Sequence, residues 1–417
     1  MLREFLKPRP SPFTKDNNAG GGFVGDLDRV RLHTAIYESD KVTGLKAPKA
    51  VMDALQEDED ATFPEWAIRS GPRETIFFDP AQVTAAIVTS DGLCPGTNDV
   101  VQNIVFTLTD YGVAEDQILG IKYGLSGFYT KGAKPVTLTR HAVDGIHLKG
   151  GTMLGTSRGG VNVEEVVRRI DLWGVNMLYI VGGNGGNHAA AAITEELERQ
   201  GVICTVATVP KSIDNDILLI DKCFGFDTAV AEAHRALLAA KVEAMSGRRG
   251  IGLVKLMGRN CGFIAMQASL ASGIVDICLI PEMGPVHSPK LLAHIKAILD
   301  KKGHCVVCVA EGVGQEEKCA GIDKQGYAIL KDIGVFLRDT LKGHFKDQAD
   351  IKYIDPSYLI RATAPTPSDR IYCKVLGQGA VHASFAAYTG FSVSMLKTHF
   401  VLLPTRYLNK ARRCCFG

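Results

Sequence analysis

Little in this chain points toward a membrane, a nucleic acid or a secretory route. No segment approaches the apolar length of a membrane span. The opening Met1-Leu2-Arg3-Glu4-Phe5-Leu6-Lys7-Pro8 lacks the apolar centre of a signal peptide. Lys and Arg number 47 against 45 Asp and Glu, a net charge of +2. Electrostatics therefore give no reason to expect a polyanion or an anionic membrane as partner. The 11 cysteines are scattered without metal-ligand spacing. They predict reduced thiols and a cytoplasmic location. Cys414-Cys415-Phe416-Gly417 ends in a residue unusual for a prenylation box and is not read as one.

What is present is a long, ordinary globular composition: 417 residues, 46% hydrophobic and 22% charged. That length exceeds one ordinary core and predicts two domains plus an appendage. Pro8, Pro10, Pro12, Asn17, Asn18 and Gly20-Gly21-Gly22 make residues 1–80 an irregular extension that wraps or tethers. Within it, Glu57-Asp58-Glu59-Asp60 reads as a solvated acidic face. An alternation follows. Strand-like runs at Gln82–Thr89, Ile118–Ile121, Met177–Val181 and Val202–Val209 are separated by helical stretches from Asp99 and over Ala189–Arg199. The second half repeats it with Ile251–Leu256, Asp276–Ile280 and Cys305–Ala310. Polar or glycine residues follow each strand. The pattern predicts an α/β fold of two doubly wound, Rossmann-like lobes.

The most chemically loaded stretch is Pro210-Lys211-Ser212-Ile213-Asp214-Asn215-Asp216. Pro210 ends a buried strand, so the acidic loop leaves a carboxyl edge, where open α/β sheets bind ligands. Asp214 and Asp216 are two apart and would point the same way in an extended loop. One carboxylate can accept a hydroxyl proton while the other supports a metal, and Lys211 offers a charge for phosphate. The bland alternative is a polar turn that caps a helix.

Three glycine-rich segments precede it: Asp91-Gly92-Leu93-Cys94-Pro95-Gly96, the run from Gly150 to Gly160, and Gly182–Gly186. Glycines let a backbone approach a ligand, and amides at a helix start favour an anion. Arg158 adds a guanidinium for bidentate phosphate contact. No Gly-Lys-Ser/Thr follows these glycines, which excludes a Walker A loop. The Rossmann fingerprint is incomplete, because His188 stands where its third glycine belongs. In the second half, Arg259 beside Gly258 is the best cation for an anionic substrate, and Glu311 can accept from sugar hydroxyls. Lys352, Tyr358, Arg361 and Arg370 form a late cluster. His188 and His234 have no second ligand at helical spacing and read as packing or surface residues.

Over about residues 83–395 the chain resembles the 6-phosphofructokinase family, in particular its plant-type ATP-dependent branch with a long N-terminal extension. The resemblance is carried by Gly150-Gly151-Thr152-x-Leu154-Gly155-Thr156-Ser157-Arg158, Pro210–Asp216, Phe224–Ala229, Leu256-Met257-Gly258-Arg259-x-x-Gly262, Ala310-Glu311-Gly312 and Tyr358-x-Ile360-Arg361. It implies a nucleotide-binding lobe at 81–224, completed by about 360–417, and a sugar-phosphate lobe at 225–359, after the extension 1–80. It implies phosphoryl transfer from ATP-Mg2+ to the 1-hydroxyl of fructose 6-phosphate by a cytoplasmic homo-oligomer, dimer or tetramer. Asp214 would be the base, with Ser212 and Asp216 supporting it and Arg259 near the transferring group. Gly92, Arg158, Gly183, Asn184, Gly185, Gly186 and Lys211 would hold the nucleotide, with Asn184 and Asp216 toward the metal. Met257, Gly258, Arg259, Glu311, Lys352, Tyr358 and Arg361 would surround the sugar phosphate. Three positions depart from the family pattern. Asn184 replaces a metal-binding aspartate and Gly186 a hydroxyl residue, and Asp91 replaces a glycine of the first phosphate loop. A partner-subunit arginine falls at Gly250, one residue from Arg249. The departures predict reduced turnover. Alternatives are the pyrophosphate-dependent relative, against which Gly185 argues, and a weak regulatory subunit.

Overall fold

The structure, a computed structural model, describes residues 2–14, 22–32, 65–284, 286–314, 319–322 and 328–409. Asn17, Asn18, Gly20, Gly21, the acidic run Glu57–Asp60 and the C-terminal Cys414–Gly417 lie outside the described residues. The strands in chain order are β1 (Arg9–Pro10), β2 (Arg29–Arg31), β3 (Trp66–Arg69), β4 (Thr75–Ile76), β5 (Ala85–Thr89), β6 (Ile118–Ile121), β7 (Val136–Thr137), β8 (Met177–Gly182), β9 (Thr205–Pro210), β10 (Gly250–Leu256), β11 (Ile277–Leu279), β12 (Cys305–Ala310), β13 (Cys319–Ile322), β14 (Ala328–Leu330), β15 (Asp350–Ile354), β16 (Phe391–Leu396) and β17 (His399–Pro404). The described α-helices are α1 (Thr97–Tyr111), α2 (Val163–Leu172), α3 (Asn184–Gln200), α4 (Phe226–Ser246), α5 (Phe263–Ser272), α6 (Ser288–Lys302), α7 (Ile333–Phe345), α8 (Ser357–Ala362), α9 (Pro367–Phe385) and α10 (Thr405–Leu408).

The chain forms two compact bodies. The first takes residues up to Ser212, Ile217–Gly225 and the segment from Thr363; the second takes Ile213–Asp216 and Phe226–Ala362. In the first, nine strands run in the order β2-β3-β17-β16-β9-β8-β5-β6-β7. The five from β16 to β6 are parallel, and the others join antiparallel. Every residue of β5, β8 and β9 is buried. Their sequences are accordingly runs of apolar residues with buried threonines rather than an apolar/polar alternation. Ala86, Val88, Leu178, Ile180 and Val206 pack on Val166, Val167 and Ile170 of α2 and Ala190, Ile193 and Leu197 of α3. Alternate residues point to the opposite face.

The described strands of the N-terminal segment pair within this body. β2 pairs with β3, and β3 with β17, while β1 pairs with β4. Val30, Leu32 and Ala67 are buried in one apolar cluster with Leu396, Val401 and Leu403.

In the second body four parallel strands run β11-β12-β10-β15. Helix α4 lies directly on β10 because two strand residues have no side chain. A Cβ on Gly250 would stand 2.2 Å from the Ala244 carbonyl oxygen, and one on Gly252 2.5 Å from that of Ala240. Both bodies carry the doubly wound plan that the alternation predicts. In each, successive strands depart to opposite sides of a central strand, β5 in one and β10 in the other. Such a switch point opens a crevice at the carboxyl ends of the strands.

One buried charge gives the first body a pH signature. Asp99 in the first turn of α1 is 3% exposed, with Arg370 Nε 4.0 Å away. Burial pushes its carboxyl up to about 6, against the pull of Arg370. A raised folded pKa means that stability present below the unfolded value is lost as pH rises toward 6. Asp99→Asn removes this loss. The variant should gain roughly 2–3 kcal/mol relative to the parent between pH 4 and pH 7. Urea melts at the two pH values check this; a pH-independent difference would remove Asp99 from the titration.

Candidate active site

In the first body the switch point lies between β5 and β8, and three loops meet there. Asp91 follows β5 with φ of +66°, a left-handed conformation that few residues besides glycine adopt. Its backbone N–H donates to the Ser157 carbonyl at 3.1 Å, and its own carbonyl accepts from Thr156 Oγ1 at 2.6 Å. The loop after β5 is thereby tied to the 150–160 loop. Thr89 Oγ1 adds a bond to the Gly155 carbonyl at 2.6 Å. The Asp91 carboxylate turns to the third loop and accepts from Gly183 N at 2.8 Å and Gly186 N at 2.9 Å.

That contact corrects the expected start of the helix. The sequence places it at Ala189, yet α3 begins at Asn184. Its N-cap, Gly183, offers no side chain. Asp91 supplies the missing acceptor from a different loop, so the glycines join the first turn. Ser90, Asp91, Ser126, Ser157, Arg158 and Gly185 line a cleft of about 140 Å³ at this point. Arg158 is exposed. Lys211, in contrast, is 4% exposed, and its Nζ donates to the Gly92 carbonyl. It braces the first loop from beneath instead of presenting an open charge to phosphate.

In the second body the candidate residues follow the carboxyl ends of β10 and β12. Gly258, with φ of +131°, turns the chain after β10; a Cβ there would stand 2.4 Å from the Cys261 carbonyl. The Glu311 amide donates to the Leu256 carbonyl at 2.9 Å and the Gly312 amide to that of Gly258 at 3.1 Å. Met257, Gly258, Arg259 and Glu311 are thus brought to one edge. Burial raises the Glu311 carboxyl pKa, with Arg259 and then Lys255 pulling the other way. The acidic turn belongs to the same body: the Cys261 thiol donates to the Asp214 carbonyl at 3.2 Å. It is not an extended loop. Asn215 has φ of +57°, which breaks the two-residue alternation assumed for Asp214 and Asp216. Asp216 is 5% exposed, whereas Asp214 is half-buried.

The late cluster is only partly assembled. Arg361 stacks over the Tyr358 ring at 4.9 Å on α8, and Tyr358 is 75% exposed. Lys352 pairs with Asp350 at 3.0 Å along β15. Arg370 belongs to the first body, where it donates to the His147 carbonyl at 3.0 Å. Sequence spacing groups it with Arg361, but the break between α8 and α9 divides them between bodies. Arg249 is engaged by Asp300 at 2.8 Å, and the backbone of α4 leaves no room for a side chain at Gly250.

Two residues passed over in the sequence organise these edges. Asn98 is buried; its Oδ1 accepts from Met153 N at 2.9 Å and its Nδ2 donates to the Lys149 carbonyl at 3.2 Å, fixing the 150–160 loop. Lys255, inside β10, reaches Asp332 at 2.8 Å and Asp355 at 2.6 Å. Burial alone would lower its pKa, but the two carboxylates outweigh this and hold it above the ordinary lysine range. Asp332 caps α7 through Val335 N at 3.1 Å, and Asp355 accepts from Ser357 N at 3.1 Å at the start of α8. A lysine in an apolar strand was the available signal, since it is rarely buried unpaired.

The comparisons agree on the family. The family described as Phosphofructokinase matches residues 84–384. The ATP-dependent 6-phosphofructokinase 5, chloroplastic, of Arabidopsis thaliana is 49% identical over 391 residues, 92% of this chain and 71% of that protein. The ATP-dependent 6-phosphofructokinase of Borreliella burgdorferi is 41% identical, covering 81% of this chain and 79% of the other. Among solved structures, the pyrophosphate-dependent phosphofructokinase from Marinobacter aquaeolei aligns with a TM-score of 0.68 over 80% of this chain and 85% of its own; at 19% identity it supports the fold alone. With a family match across most of the chain, and glycine-rich loops and an arginine at the two strand edges, this protein belongs to the phosphofructokinase family.

Proposed function

We propose that the protein is an ATP-dependent 6-phosphofructokinase, transferring the γ-phosphoryl group of ATP to the 1-hydroxyl of fructose 6-phosphate to give fructose 1,6-bisphosphate and ADP. The observation that carries this reading is the extent of identity with relatives named for ATP, spanning both bodies. Gly185 supports it, because the donor loop carries no side chain at that position.

In this reading Asp214 takes the proton of the 1-hydroxyl as its oxygen attacks phosphorus, and ADP leaves with the former bridging oxygen. Ser212 and Asp216 support that turn. Arg158 holds donor phosphate, and the amides of Gly92, Gly183, Asn184, Gly185 and Gly186 line its loops. Met257, Gly258, Glu311, Lys352, Tyr358 and Arg361 receive the sugar phosphate, with Arg259 toward the group in transfer. Mg2+ suits these residues, since it is commonly held by one or two carboxylates plus substrate phosphates. In the second body Asp216 offers a carboxylate, and in the first Asn184 offers a neutral oxygen. A bound ion would neutralise phosphoryl charge. Leu238, Val242 and Met245 are exposed along α4 at helical spacing and support a homo-oligomer. None of the cysteines described forms a disulfide, which supports a reducing, cytoplasmic setting.

Coupled assays with ATP-Mg and with pyrophosphate-Mg test the donor: product should form with ATP, and a preference for pyrophosphate would reverse the assignment. Asp214→Ser should lower kcat by roughly 10² while leaving fructose 6-phosphate binding nearly intact. A variant that keeps most of its kcat would remove Asp214 from proton transfer. Lys255→Met should raise KM for fructose 6-phosphate about tenfold with KM for ATP unchanged, because α8 loses its anchor. Lys255→Arg should restore much of it. Equal effects on both substrates would point to general unfolding instead.

A further inference from the structure

The proposed reaction does not account for the Asp91 contact. Amides at a helix start beside a switch point form a seat for an anion. Here the seat is already held from within the chain, by Asp91 Oδ2 on the amides of Gly183 and Gly186. The surroundings are cut to this carboxylate. A Cβ on Gly185 would stand 2.6 Å from Asp91 Oδ1, and one on Gly186 2.8 Å from Ser90 Oγ and 3.4 Å from Asp91 Oδ2. At Gly185 a side chain and the carboxylate in this position would compete for one space, whereas at Gly186 the close neighbour is the Ser90 hydroxyl. Asp91 also lines the cleft that Arg158 lines. Its backbone keeps a left-handed conformation that a glycine would hold without strain.

We infer that Asp91 is a specificity-determining residue of the donor site: its carboxylate is a tethered anion that a nucleoside triphosphate must displace from the start of α3. The inference rests on the reading of this cleft as the donor site. The same two N–H groups cannot serve the carboxylate and a phosphate together. A carboxylate fixed on an adjacent loop competes at high effective concentration. The charge that remains beside the cleft then repels the donor. Gly185 belongs to the same arrangement, since it leaves the room in which the carboxylate docks. Asp91 thereby raises the donor concentration needed for binding, and it slows turnover at low donor concentration.

Calorimetric titration of the full chain with ATP-Mg tests this on the parent, Asp91→Gly and Asp91→Asn, alongside KM for each substrate. Asp91→Gly should bind ATP-Mg at least about tenfold more tightly, with Asp91→Asn between it and the parent and KM for fructose 6-phosphate unchanged. A purely structural cap predicts the reverse: lower melting temperatures and ATP affinity equal to or weaker than the parent. That result overturns the inference and leaves the activity standing. Should Asp91→Gly fail to fold, Asp91→Asn, which keeps an acceptor oxygen without the charge, decides alone by the same criterion. If the parent and both variants neither bind ATP-Mg nor phosphorylate fructose 6-phosphate, the assignment as an ATP-dependent kinase falls and takes the inference with it.

Discussion

The pairing of β5 between β8 and β6 is the constraint on which the first body depends. Ala85–Thr89 bonds to Met177–Val181 on one edge, and Ala85–Val88 to Ile118–Ile121 on the other. Both registers are parallel, so each return requires a crossover, and the crossovers diverge to either side. Their divergence leaves the carboxyl end of β5 uncovered by any connecting helix. Asp91 stands at that end, and the donor loops close around it. The second body repeats the construction about β10, which carries Arg259 past its end and Lys255 within it. Buried strands fix the position of exposed loops because they allow little sliding: a one-residue shift would turn every side chain to the other face.

Much of this was legible in the sequence for that reason. Cys305–Ala310 is apolar throughout and Val202–Val209 is broken only by Thr205 and Thr208, and only strands covered on both faces need such runs. The seven runs expected as strands each lie within three residues of an observed strand, while β15, β16 and β17 had no expected counterpart. The glycine-rich loops and Arg158 were legible because glycine at a strand end has few uses other than turns and close approach. Less legible were contacts that join distant segments. Nothing local announces that Asp91 caps a helix ninety residues later, or that Lys255 holds the starts of α7 and α8. The acidic turn was misread as extended because Asn215 tolerates a left-handed backbone without advertising it. Arg370 was grouped with Arg361 by spacing, though the chain crosses between bodies within those few residues.

The two edges are stabilised by different means. In the donor loops, backbone groups do most of the bonding, through the short side chains of Thr89, Thr156 and Asp91, with Lys211 bracing the first loop. Short side chains lose little entropy on ordering, so the loops are held in one shape before a ligand arrives. At the acceptor edge the organising group is a long lysine between two carboxylates. Its bonds are charge-assisted and partly shielded, which makes their removal costly and their contribution sensitive to salt.

The N-terminal strands have a consequence for the border of the sheet. β17 lies between β16 and β3, and β2 closes the sheet with only three residues. A short final strand leaves few unpaired amides and carbonyls, a recognised safeguard against joining edges between molecules. β16 and β17, by contrast, are six-residue strands, and Val393, Val401 and Leu403 in them are fully buried. With β2 and β3 removed, β17 would become the border of the sheet, and its apolar residues and unpaired backbone groups would offer an edge for pairing between molecules.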